Sequence, residues 1–236
     1  VLVSLDAGTR FEALAEGIAA SDVVLASGHL WMRTRSGGLV VDSTHANLPR
    51  SSPHSADAGA PIERCPIPGV AAALTCDTAG GSRLVTVLVV DDAGHPTALV
   101  RPVAGAAVRR EAIEAPEAAL PSSFAARGEH VAYSARRGGV VRRLARGSWA
   151  PFEWEGRVTA IVFVDDAGTL IASTYSEVDD TTALVRLERD GQAAVVGRVG
   201  ASDPESDGRV VAMALDEARG VVWVAGGFGV AAFATR

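Results

Sequence analysis

The chain has 236 residues, with 22 basic and 28 acidic side chains and a formal charge of −6. Apolar residues make up 48% and charged residues 21%, which suits a packed chain and excludes a disordered one. The acidic balance argues against a nucleic-acid binder, because duplex affinity comes from Lys and Arg on phosphate, and no apolar run approaches the roughly 20 residues of a membrane-spanning helix.

Every cation other than His is Arg, and Asn47 and Gln192 are the single Asn and Gln. Missing Lys points to a GC-rich genome. Residue 1 is Val, and no charged, then apolar leader follows it. A processed chain, or a piece of a longer one, is the expectation.

In chain order, residues 1–18 carry two short apolar runs with the texture of strands. A unit over residues 19–68 follows, interrupted by residues 43–61. Pro49, Pro53 and several Ser make that stretch an insertion loop, with His45, His54 and Asp57 in it. Cys65 and Cys76 come next. Two thiols are too few for a structural zinc site, so a disulfide in an exported protein and two free thiols both remain open. The best helical pattern, residues 109–120, is cut by Pro116. Everything else is Val-, Leu- and Ala-rich runs broken by Gly, Asp and Ser, the pattern of strands and turns.

The runs repeat. T-A-L-V-R occurs at Thr97 and again at Thr182; V-D-D-A-G occurs at Val90 and again at Val164. The first spacing is two units of 40 to 45 residues, the period of four-stranded propeller blades. With strands named a to d from the axis outward, the clearest unit has a at 157–165, b at 169–177, c at 182–188 and d at 193–200. The next has a at 210–216, b at 220–227 and c at 228–236. Earlier units cover 122–156, 70–113 and 19–68. The last unit lacks d, and the N-terminus matches strands c and d. This predicts one all-β domain over residues 1–236, a propeller of five four-stranded blades closed by the N-terminal strand. Six or seven blades, or part of a larger ring, are the alternative.

Two segments carry a resemblance. D-E-A-R-G-V-V-W-V-A-G-G-F-G-V-A-A-F (from Asp216) and A-S-G-H-L-W-M-R-T-R-S-G-G-L-V-V (from Ala26) resemble the blade repeat of bacterial two-component-regulator, NHL-like and streptogramin-lyase-like propellers. The resemblance implies a fold and leaves activity open, since such propellers serve as sensors, interaction platforms, lyases and lactonases.

No nucleophile elbow, phosphate loop or catalytic triad is present. His29 and His130 read as turn residues at repeat-equivalent places. Trp31 and Trp223 read as equivalent core positions. Arg136, Arg137, Arg142, Arg143 and Arg146 read as one solvated basic face. The feature above this background is acidic. Loops b–c and d–a leave a propeller on one face, which collects Glu177, Asp179, Asp180, Asp203, Glu205 and Asp207, with Asp91 and Asp92 from an earlier blade. Such a rim attracts a basic protein or peptide, and its oxygens suit Ca²⁺. The expected function is a non-enzymatic ligand- or protein-binding module, extracytoplasmic, using this face. A lyase- or lactonase-type enzyme with a site at the central channel, and a structural subunit of a larger assembly, are the alternatives.

Overall fold

A computed structural model describes residues 2–4, 11–13, 20–26, 29–42, 63–65, 67–77, 84–101, 109–145, 147–200 and 207–235. The insertion loop expected over residues 43–61 lies outside them. The described elements are strands and turns, with no helix among them.

The chain is a five-bladed β-propeller whose sheets follow one another in sequence. The first comprises β3 (Ala20–Ala26), β4 (His29–Thr34), β5 (Leu39–Asp42) and β6 (Glu63–Cys65). The second is β7 (Val70–Asp77), β8 (Leu84–Val90), β9 (Pro96–Arg101) and β10 (Arg109–Ala112). The third is β11 (Ala119–Arg127), β12 (His130–Ala135), β13 (Val140–Arg143) and β14 (Trp149–Phe152). The fourth is β15 (Arg157–Phe163), β16 (Leu170–Ser176), β17 (Thr181–Leu187) and β18 (Ala193–Gly200). The fifth has three strands in the described ladders: β19 (Val210–Asp216), β20 (Val221–Gly226) and β21 (Gly229–Ala234). At the N-terminus, β1 (Leu2–Ser4) pairs antiparallel with β2 (Phe11–Ala13), the two-strand unit that the sequence places there.

Consecutive sheets stack face to face, and side-chain alternation decides which neighbour each residue meets. In β8, Val85, Val87 and Val89 face the first sheet and join Trp31 and Leu39. Leu88 and Val90 face the third and join Phe124, Val131 and Tyr133. Val87, Leu88 and Val89 are all 0% exposed. A strand buried on both faces reads as an unbroken apolar run, which is what L-V-T-V-L-V-V is. Each such side chain contributes about 1.5–3 kcal/mol. The third and fourth sheets meet through Ala132, Val140, Ile161 and Leu170, the fourth and fifth through Ile171, Leu184, Val222 and Val224.

Arginines on the c strands tie each sheet to the next. Arg101 Nη2 donates to the Gly128 carbonyl across 2.9 Å. Arg142 donates to the carbonyls of Gly168 (3.1 Å), Leu187 (3.3 Å) and Arg189 (3.2 Å), and its guanidinium lies 5.0 Å from the Phe152 ring centroid. Arg186 Nη1 donates to the Thr235 carbonyl. Gly128 and Gly168 sit in the a–b turns of the following blade, so the device repeats. Arg142 and Arg143 are buried, while Arg136 and Arg137 are exposed on a turn. The single solvated basic face expected from sequence is therefore divided, because strand alternation carries the second pair inward.

The chain direction also reverses cleanly where a Cβ is excluded. Gly139 has φ +78°, and a Cβ there would collide with the Phe152 carbonyl oxygen. Glycine is free of that penalty.

Replacing Arg142 by Leu removes the donors of three carbonyls at once. Unfolding in urea is expected to show a loss of about 3 kcal/mol or more, against less than about 0.5 kcal/mol for Arg136→Leu. Equal effects would mean that the interblade bonds contribute nothing.

Candidate functional site

Strands a and c run one way and b and d the other, so b–c turns and d–a links emerge together. The structure places Asp91 and Asp92 in the turn after β8, and Glu177, Asp179 and Asp180 in the turn after β16. Asp207 precedes β19 on the same face. Asp203 and Glu205 lie outside the described residues.

Several of these carboxylates shape their own loops. Asp91 Oδ1 accepts the amides of Ala93 (2.9 Å) and His95 (2.8 Å), an Asx turn. Asp207 Oδ1 accepts the Arg209 amide at 3.0 Å. Asp180, at φ +48°, accepts the Tyr175 hydroxyl (2.8 Å) and the Gly208 amide (3.0 Å) through one oxygen. That oxygen joins the b–c turn of the fourth blade to its d–a link. The Gly208 amide first, then the Tyr175 hydroxyl, holds the Asp180 carboxyl below the usual carboxylate range. Asp92, Glu177 and Asp179 are exposed. The b–c turn of the third blade inserts the exposed Arg136 and Arg137 between the acidic turns of the second and fourth, so the rim alternates in sign.

The opposite face is organised differently. Arg127 ends β11 and is largely buried. Its Nε donates to Asp166 at 2.6 Å and its Nη1 to Glu217 at 2.7 Å. The acids come from the a–b turns of the fourth and fifth blades, so one guanidinium locks three sheets. Burial acts to lower the Arg127 pKa, but the bonds to Asp166 and Glu217 outweigh it and raise it. Glu129 lies 3.7 Å from both Arg101 and Arg109, Glu188 lies 2.7 Å from Arg186, and Glu111 lies 2.6 Å from Arg143. On this face these five carboxylates meet guanidiniums, while Asp165 and Asp190 accept backbone amides instead. On the b–c face, Asp92, Glu177, Asp179, Asp180 and Asp207 have no ion pair among the described residues.

A cavity of about 450 Å³ opens beside Arg127, bounded by Asp165, Asp166, Arg186, Leu215 and Glu217. A second, of about 260 Å³, follows the axis between strands β7, β11, β15 and β19. Its lining is mostly apolar: Ala125, Ile161, Phe163, Met213 and Leu215 take part, with Cys76 and, at the mouth, Arg127. No His, Asp or Glu lines it among the described residues. Nor does any group of three or more His, Cys, Asp or Glu among those residues come together around a metal position.

Cys65 and Cys76 are not joined in a disulfide. Cys65 sits on an outermost strand and Cys76 on the innermost strand of the next blade. Burial, partly offset by Arg110, raises the Cys65 pKa, which leaves little thiolate for chemistry.

Sequence reasoning missed the Arg127 lock. Its partners are 39 and 90 residues away. A signal was present: Asp165-Asp166 and Asp216-Glu217 end consecutive a strands with two acids, and the second acid of each pair meets Arg127.

No family model matches the chain, and no curated protein matches it. Solved structures do. BBS1N in complex with ARL6DN has a TM-score of 0.54 at 12% identity, over 95% of this chain and 67% of that one. YCF48 from Cyanidioschyzon merolae has 0.54 at 11%, over 98% and 75%. The extracellular domain of the putative one component system BT4673 from B. thetaiotaomicron has 0.51 at 11%, over 90% and 26%. YCF48 bound to D1 peptide has 0.53 at 13%, over 94% and 66%. The chain thus spans about two thirds of the first of these and about a quarter of BT4673. At these identities the likeness concerns the fold, and the fold it supports is the propeller.

Asp180 gives a pH prediction. Its folded pKa is depressed, so its stabilisation is present above the unfolded carboxylate pKa and is lost as pH falls through the folded value. Asp180→Asn keeps the turn geometry and removes that contribution. Stability curves of the two proteins between about pH 5 and pH 2 should differ in slope; superposed curves would show that the carboxylate does no bracing.

Proposed function

We propose that the chain is a non-enzymatic interaction propeller, extracytoplasmic in location, that binds a basic protein or peptide on the face of its b–c and d–a loops. One observation carries the reading. On the opposite face Glu111, Glu129, Asp166, Glu188 and Glu217 each meet an arginine, while Asp165 and Asp190 accept backbone amides; on the b–c face Asp92, Glu177 and Asp179 project from turns without a guanidinium partner among the described residues. Their field is left for a cation from outside. Loops on a rigid scaffold are where propellers place recognition.

The alternation of sign adds specificity. A partner that presents basic residues to the second and fourth blades must present a neutral or acidic group to Arg136 and Arg137, or meet repulsion there. The neighbours in fold support the general reading: one was solved with ARL6DN, another with a D1 peptide, a third as an extracellular domain.

The probe is a short arginine-rich peptide, followed by fluorescence anisotropy. Asp92→Asn, Glu177→Gln and Asp179→Asn together are expected to weaken binding about tenfold, from about 0.5 kcal/mol per exposed pair. Added salt should weaken the wild type more than the triple variant. Equal affinities for the two proteins would dismiss the acidic face as the site.

A further inference from the structure

The axial channel combines an apolar space with one available hydrogen-bond donor. Ala125, Ile161, Phe163, Met213 and Leu215 border about 260 Å³. An apolar cavity of about 150 Å³ already takes up benzene, so this one has room for a ring with a short substituent. Thr75 and Cys76 add a hydroxyl and a thiol to the wall. The donor is at the mouth, where Arg127 borders both the channel and the wider cavity of about 450 Å³ beside it. Its Nε and Nη1 are taken by Asp166 and Glu217. Its Nη2 has no partner among the described residues.

The charges around that donor select the charge of a ligand. Arg127 meets two carboxylates, so the trio carries a net negative charge. Asp165 borders the wider cavity without an ion pair among the described residues, and Arg186 there lies 2.7 Å from Glu188. An anion at Nη2 would therefore face Asp166 and Glu217 as well. A cation in the channel would exchange water for apolar walls and a guanidinium, with no Asp or Glu lining the channel among the described residues. Burial of an unpaired charge costs several kcal/mol. A neutral group with an oxygen acceptor avoids both penalties. It accepts from a charged donor, which makes a stronger bond than a neutral one.

We infer that the channel is a binding site for a small neutral molecule with an apolar body and a carbonyl group. The body lies among Ala125, Phe163 and Met213, and the carbonyl oxygen accepts from Arg127 Nη2. The channel residues belong to the a–b ends of the innermost strands, away from the acidic b–c loops. The site is thus separate from the function proposed above, and neither depends on the other.

Acetophenone is the probe, titrated into the whole chain while the amide NMR signals of β11, β15 and β19 are followed. A saturable shift of those signals is expected. Ethylbenzene, of similar shape without the oxygen, should bind about tenfold more weakly, the effect of one bond to a charged donor. Benzoate and benzylamine should bind more weakly than acetophenone by at least that factor. Ala125→Leu and Met213→Phe occupy the space of the ring and should each weaken acetophenone by about tenfold or more. The same spectra show whether each variant is folded, and either folded variant suffices. If neither folds, the ligand series on the wild type decides. No saturable shift in the wild type overturns the inference. So does equal affinity for acetophenone and any of the other three compounds, or a folded filled variant that binds acetophenone like the wild type.

Discussion

A β-sheet with two apolar faces needs a neighbour on each side, and this requirement organises the molecule. It explains why β8 is apolar at nearly every position and why Val87, Leu88 and Val89 are sealed from water on both sides. It explains why the sheets follow one another round an axis, since each covers the face that its predecessor exposes. It also makes the last sheet conspicuous, because there the series stops with a tryptophan half in water.

Polar groups at the ends of the strands work within that constraint. A chain without Lys uses the guanidinium fork, which donates several bonds in fixed directions. Arg101, Arg142 and Arg186 use it to cap carbonyls beyond their own sheet. Arg127 uses it to hold acids from two further blades. These bonds pair most of the carboxylates of one face. The other face keeps its carboxylates, some bent into backbone turns and some free, and its field is what a partner meets first. The same division of labour leaves the axial channel lined mostly by apolar side chains.

Much of this was legible from the sequence. The blade read over residues 157–200 matches β15 to β18 to within about two residues, because strand alternation and Asp-Gly turns are local signals. Both T-A-L-V-R segments are c strands, β9 and β17. The two V-D-D-A-G segments are instead a b–c turn and an a–b turn, on opposite faces. Asp91 and Asp165 each accept amides two and four residues on. The motif therefore specifies a hairpin and is silent about blade position. The best helical pattern became β10 and the start of β11, since tertiary pairing outweighs a weak helical period interrupted by proline. What remained hidden depends on contacts between distant residues: the bracing role of Asp180, the Arg127 lock and the uncovered Trp223. None has a signature within one blade.

The central claim is that stability comes from covering each sheet on both faces. Amide hydrogen exchange by NMR tests it directly. Amides of β8, β12 and β16 should exchange only through global unfolding, while those of β20 and β21, with one face open, should exchange through a smaller local opening. Protection of β20 and β21 equal to that of β8, with the chain monomeric, would contradict the account.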